Sequence, residues 1–158
     1  MKKLLLLNVF VVVSTIQLLA QNITIGTGTA ASYFYGPYYR SSATSTFNNS
    51  KYAYIYTPDE LTAIPPGSLI TAVEWQKAAG TITAPNTFQI FMENNSATVL
   101  NTGTTWGTLT ASATNVYNNT SQGFTVPAPG WESFNLTTPF TYTGGTLQIC
   151  TDHVKFGA

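Results

Sequence analysis

The chain has 158 residues, 44% hydrophobic, 13% aromatic and only 8% charged, with six basic side chains, six acidic ones and a single histidine. So little Lys and Arg excludes a nucleic-acid binder built on a basic patch, and the apolar content excludes a disordered chain. The one cysteine, Cys150, excludes an internal disulfide framework.

Taken in chain order, Lys2 and Lys3 precede an apolar run from Leu4 to Leu19, broken by Asn8, Ser14, Thr15 and Gln17 and followed by Ala20. That is the pattern of an export signal at residues 1–20, cut at Ala20-Gln21. The run falls short of the ~20 well-packed apolar residues that a span needs. The expectation is therefore a secreted or cell-surface protein with no stable membrane span after signal removal. Removing Lys2 and Lys3 from the six bases leaves four against six acids, a mature charge near −2. Residues 21–158 suffice for one domain with a single core.

Gln21 to Thr29 alternates Ile23 and Ile25 and reads as a short edge strand. Ala30 to Ser42 concentrates aromatics, with Tyr33, Phe34, Tyr35, Tyr38 and Tyr39 around a Gly36-Pro37 turn and Arg40, the only arginine, beside them. Ser50 to Gln76 reads as strand, one capped helical turn, tight turn, strand. In Tyr52 to Tyr56 three tyrosines share one face, with Ala53 and Ile55 on the other. Thr57-Pro58-Asp59-Glu60 is a helix start, and Ile64-Pro65-Pro66-Gly67 stops it with a turn needing positive φ at Gly67. In Leu69 to Trp75 the lone charge, Glu74, puts Val73 and Trp75 inward, and Leu69 shares their face. Ile70 then points outward unless a bulge intervenes.

Lys77 to Ala84 reads as a turn region around Gly80. Asn86 to Glu93 is an alternating strand with Phe88, Ile90 and Met92 inward. Trp106 to Ala113 is either a strand or an irregular crossing. Trp131 to Leu136 is a strand with Phe134 and Leu136 on one face, Pro139 to Tyr142 an extended edge, and Thr146 to Val154 the last strand. No segment keeps a helical period beyond one or two turns, and ~8–9 short strands separated by turn signals predict an all-β fold, an antiparallel sandwich or barrel. Only Lys155 to Ala158 follow the last strand. An unpaired apolar edge there predicts that the chain is the N-terminal fragment of a larger protein, missing its last strands.

The run YIYTPDEL…IPPGSLITAVEW (Tyr54 to Trp75) carries a family resemblance, with IGTGT (Ile25 to Thr29), FQIFME (Phe88 to Glu93) and GWESFNLTTPFTYTGGTLQIC (Gly130 to Cys150) in the same order. Together they resemble the N-terminal module of secreted or surface proteins exported by the bacterial type IX secretion system. The resemblance implies a jelly-roll-like β-sandwich at the start of a longer exported protein, with adhesive repeats or a sorting domain following.

The residues offer little chemistry. One His, one Cys and six carboxylates predict neither a metal site nor a cofactor. Glu74, Glu93 and Glu132 would support a hydrolase only if they converged in one cleft. Asp152 and His153 are strand neighbours that point apart, as do Cys150 and His153, so neither pair makes a catalytic set. The surplus of aromatics, amides and hydroxyls is what sugar rings require. Loops carry binding more often than sheet faces do, so the candidate ligand-binding residues are Tyr35, Tyr38, Tyr39 and Arg40. The expected function is a non-catalytic module for adhesion or glycan binding, not an enzyme, with glycans or neighbouring domains as partners and no nucleic acid. The alternatives are a purely structural spacer domain and, less favoured, an exported hydrolase.

Overall fold

A computed structural model describes residues 21–26, 36–38, 49–78, 80–83 and 85–155. Among them are six strands, β1 (Asn49–Tyr56), β2 (Leu69–Lys77), β3 (Asn86–Asn95), β4 (Thr114–Asn119), β5 (Gly130–Thr141) and β6 (Thr146–Lys155), and one short helix, α1 (Trp106–Thr110). They form a four-stranded sheet in the order β1-β6-β3-β4 and a two-stranded sheet, β2-β5. Every pairing is antiparallel. The sheets pack face to face, with Phe88 of β3 against Phe134 of β5 (ring centroids 4.9 Å) and Trp75 of β2 (6.4 Å). The fold is an all-β sandwich.

The core follows from alternation. Phe88, Ile90 and Met92, at every second position of β3, have no solvent exposure. They meet Phe124, Phe134, Leu147 and Ile149 in one cluster. Strand β6 is buried from Thr146 to His153 because it is enclosed on every side. It pairs with β1 on one edge and β3 on the other. Its inner face looks into the core, and α1 covers its outer face. Gln148 Nε2 donates to Leu109 O at 2.7 Å, Lys51 Nζ stands 4.8 Å over the Trp106 ring, and Phe91 packs edge-on against that ring. The final strand is therefore an interior strand, where an unpaired edge was expected.

The Ser50–Gln76 stretch folds largely as read. Glu60 reaches back over the turn, its Oε2 accepting from Thr57 N at 2.8 Å and Thr57 Oγ1 at 3.0 Å. Leu61 N–H donates to Thr57 O, closing a single helical turn, and this drops Leu61, 1% exposed, into the core. Gly67 takes φ 88°. Its N–H donates to Tyr142 O at 2.7 Å, and Tyr142 N–H donates back to Ser68 O at 2.9 Å. The proline corner is thus bolted to the turn leading into β6.

Three expectations are corrected. Gln21 to Gly26 forms no strand, although Ile25 still packs on the core. Trp106–Thr110 is a helix, started by Thr105 Oγ1 accepting from Thr108 N–H. In β2 a bulge intervenes: Ile70 faces Phe140 while Ala72 already faces Asn135, so β5 spends four residues, Leu136 to Pro139, against Thr71 alone. The irregularity sits where Pro139 has no N–H to give a ladder. It turns Ile70 into the core and leaves Leu69 58% exposed. The tyrosine face of β1, whose direction the alternation leaves open, points inward. Tyr54 lies 6.3 Å from Trp75 and Tyr56 packs on the core cluster.

Candidate functional site

Of the four candidate residues in the aromatic loop, Tyr38 belongs to the interior. Its ring stacks on Phe124 at 4.4 Å and meets Phe88 edge-on at 6.2 Å. Its hydroxyl donates to Trp75 O at 3.4 Å. Burial, with the charge of Glu132 second, raises its pKa above the usual tyrosine value. A tyrosine so placed is partly buried and spends one ring face on the core. Tyr35, Tyr39 and Arg40 lie outside the described residues.

An aromatic that does meet solvent is on β5. Alternation along Gly130–Thr141 sends Glu132, Phe134 and Leu136 inward and Trp131, Ser133 and Asn135 outward, leaving Trp131 47% exposed. The register sets Gln76 opposite Trp131, Glu74 opposite Ser133 and Ala72 opposite Asn135. Gln76 and Glu74 are exposed as well. Directly opposed residues stand about 4.5–5.5 Å apart at Cβ, so the outer face of this sheet is one patch of indole, amide, hydroxyl and carboxylate. The inward position of Phe134 already implies an outward Trp131 by parity. That signal was present in the sequence, outweighed by the density of tyrosines elsewhere.

The remaining ionisable groups are enclosed or dispersed. Lys77, expected in a turn, closes β2 and points inward. Its Nζ lies 2.7 Å from Glu132 Oε1 and 2.9 Å from Phe124 O, with both side chains under one-tenth exposed. Glu132 Oε1 also accepts from Val126 N–H at 2.9 Å. The pair thereby ties the Gly123–Pro129 segment to the end of the β2–β5 sheet.

His153 is fully buried, its Nε2 3.4 Å from Asn86 Oδ1. Asn86 Nδ2 donates to Thr83 O and Gln122 O, both at 2.9 Å. The amide orientation is thus settled, and its oxygen is left facing His153. Nε2 must therefore carry the imidazole proton. Burial pushes the pKa of His153 down to about 4, so it is neutral in ordinary buffers. Its Nδ1 and the hydroxyls of Ser50, Thr151 and Tyr54 have no hydrogen-bond partner.

Glu93 accepts from Ser112 and Gln148 on the outer face of the four-stranded sheet. Asp152 pairs there with Lys51 at 2.8 Å. Glu74, Glu93 and Glu132 consequently occupy three surfaces: outside one sheet, outside the other, and between them. Asp152 and His153 point to opposite faces of β6, as strand geometry requires. Cys150 is buried on the outer face, and its thiol is pushed up to about 11 by burial, with Glu93 adding to the shift.

Among the described residues, no group of three metal-ligating side chains comes together and no helix is long and apolar enough to cross a membrane. Comparison with protein-family models, curated proteins and solved structures found no match.

Proposed function

We propose that this chain is an exported, non-catalytic β-sandwich module that serves adhesion through glycan binding. The observation that carries the reading is the division of its chemistry. Groups suited to proton transfer are enclosed or separated: Lys77 and Glu132 pair in the interior, His153 is sealed by Asn86, and Glu74 and Glu93 lie outside opposite sheets. Groups suited to sugar recognition face solvent together, with Trp131, Gln76, Ser133 and Asn135 on one sheet face. Export rests on the residue 1–20 pattern. Attachment to the type IX route rests on the resemblance of the Tyr54–Trp75 and Gly130–Cys150 segments.

A glycan array probed with the purified protein tests the binding function. The reading expects capture of at least one neutral polysaccharide. A blank array, together with no adhesion to cells, would overturn it in favour of a spacer domain.

A further inference from the structure

We propose that the outer face of the β2–β5 sheet is the carbohydrate site, that it takes a single neutral glycan chain, and that Trp131 is its stacking platform. The inference rests on the binding function proposed above and names the surface that performs it.

Three properties of the face select this occupant. The first is its chemistry. Trp131 offers about half of a large aromatic surface to solvent, and an indole face pairs with the C–H face of a pyranose as it does with other apolar planes. Gln76 directly opposite, and Ser133 and Asn135 further along β5, supply the amide and hydroxyl groups that sugar hydroxyls need.

The second property is charge. Neither strand carries an outward Lys or Arg, since Lys77 is turned into the core, and Glu74 puts a carboxylate in the middle of the strip. Uronic-acid and sulfated chains are repelled there, whereas neutral chains can use that carboxylate as a hydrogen-bond acceptor.

The third is shape. Trp131, Ser133 and Asn135 span about 13 Å along the strand, room for an oligosaccharide to lie lengthwise. A two-stranded ribbon twists more than a broad sheet, so the strip follows one chain and does not lie flat on a crystalline array. A protein partner fits poorly, because interfaces centre on several buried apolar residues. The nearest other exposed aliphatic on these strands, Leu69, is about 23 Å away along β2.

The test uses the purified protein and titrates it with neutral gluco-, manno- and xylo-oligosaccharides and with uronic-acid oligosaccharides. Binding is followed by calorimetry and by tryptophan emission. Trp75 and Trp106 are more covered than Trp131, so the ligand-induced emission change should come from Trp131. A neutral oligosaccharide is expected to bind. Trp131→Ala should weaken it about tenfold or more, Gln76→Ala less, and Trp131→Phe should keep most affinity while removing the emission change. Circular dichroism of the variants should match the parent. If the parent binds and Trp131→Ala binds equally well, or uronic-acid chains bind as tightly as neutral ones, the assignment of this face is overturned while the binding function stands. If the parent binds none of the probes, the neutral-glycan assignment of this face is overturned, and the binding function then stands or falls by the glycan array and cell adhesion.

Discussion

Removing the Lys77 ammonium should be among the most damaging single changes to this fold. In Lys77→Met, Glu132 keeps only the Val126 N–H as a partner, at a site almost closed to solvent. Orphaning one member of a buried pair costs about 3–5 kcal/mol, a fifth or more of the ~5–15 kcal/mol that holds a domain of this size together. At this chain length that corresponds to a melting temperature lowered by roughly 10–15 °C. Phe124 O loses its ammonium donor but still accepts from Ile82 N–H, so it adds little.

The double variant Lys77→Met/Glu132→Leu removes both charges and should recover at least half of the loss. About 1–2 kcal/mol stays missing because the Val126 amide is left without its acceptor. Urea titrations of the parent, the single and the double variants measure all three quantities. A single variant within about 1 kcal/mol of the parent, or a double variant less stable than the single, would refute the reasoning, which depends on the charge being stranded.

His153 gives the protein an acid limb. Its unfolded-state pKa is about 6.5 and burial lowers it to about 4 in the fold. Between those values the unfolded chain binds a proton that the folded chain refuses. Stability is thus intact above pH 6.5 and falls as the pH drops towards 4, by about 2–3 kcal/mol in all. Urea midpoints across that range should decline more steeply in the parent than in His153→Gln, and parallel curves would remove the claim. Phe88→Ala empties the centre of the aromatic cluster, where the ring meets Trp75, Phe124 and Phe134, and should cost about 3–5 kcal/mol by chemical denaturation. Gly144→Ala should cost more than about 1 kcal/mol. Its φ is 97° and an added Cβ would stand 2.6 Å from Pro66 Cγ, so an unchanged melting temperature would contradict the corner described above.

What could be read in advance follows from which signals are local. The alternation of Phe88, Ile90 and Met92 needs only the period of a strand, and all three are in the core. Thr57 to Glu60 and Pro66-Gly67 state their turns within a few residues, and the turns are there. The inward tyrosines of β1 were less legible. Tyrosine suits an exposed face and a core lining equally well, and only the opposing Trp75 decides between them. The β2 bulge depends on Pro139, about seventy residues downstream of Leu69, so no local pattern could announce it. Lys77 was hidden for the same reason, because its partner Glu132 is supplied by another strand. The candidate site shows both kinds of outcome. Tyr38 stands in a loop-like segment, yet its ring is claimed by Phe124, whereas the outward Trp131 follows from the parity of Phe134 alone.

The central claim is binding without chemistry, and one experiment addresses both halves. The purified protein is incubated with an immobilised neutral polysaccharide while retention and new reducing ends are measured over the same period. The account predicts retention that free oligosaccharide competes away, with reducing ends no higher than in a protein-free control. Reducing ends that grow with time, or a protein that passes through unretained, would contradict it.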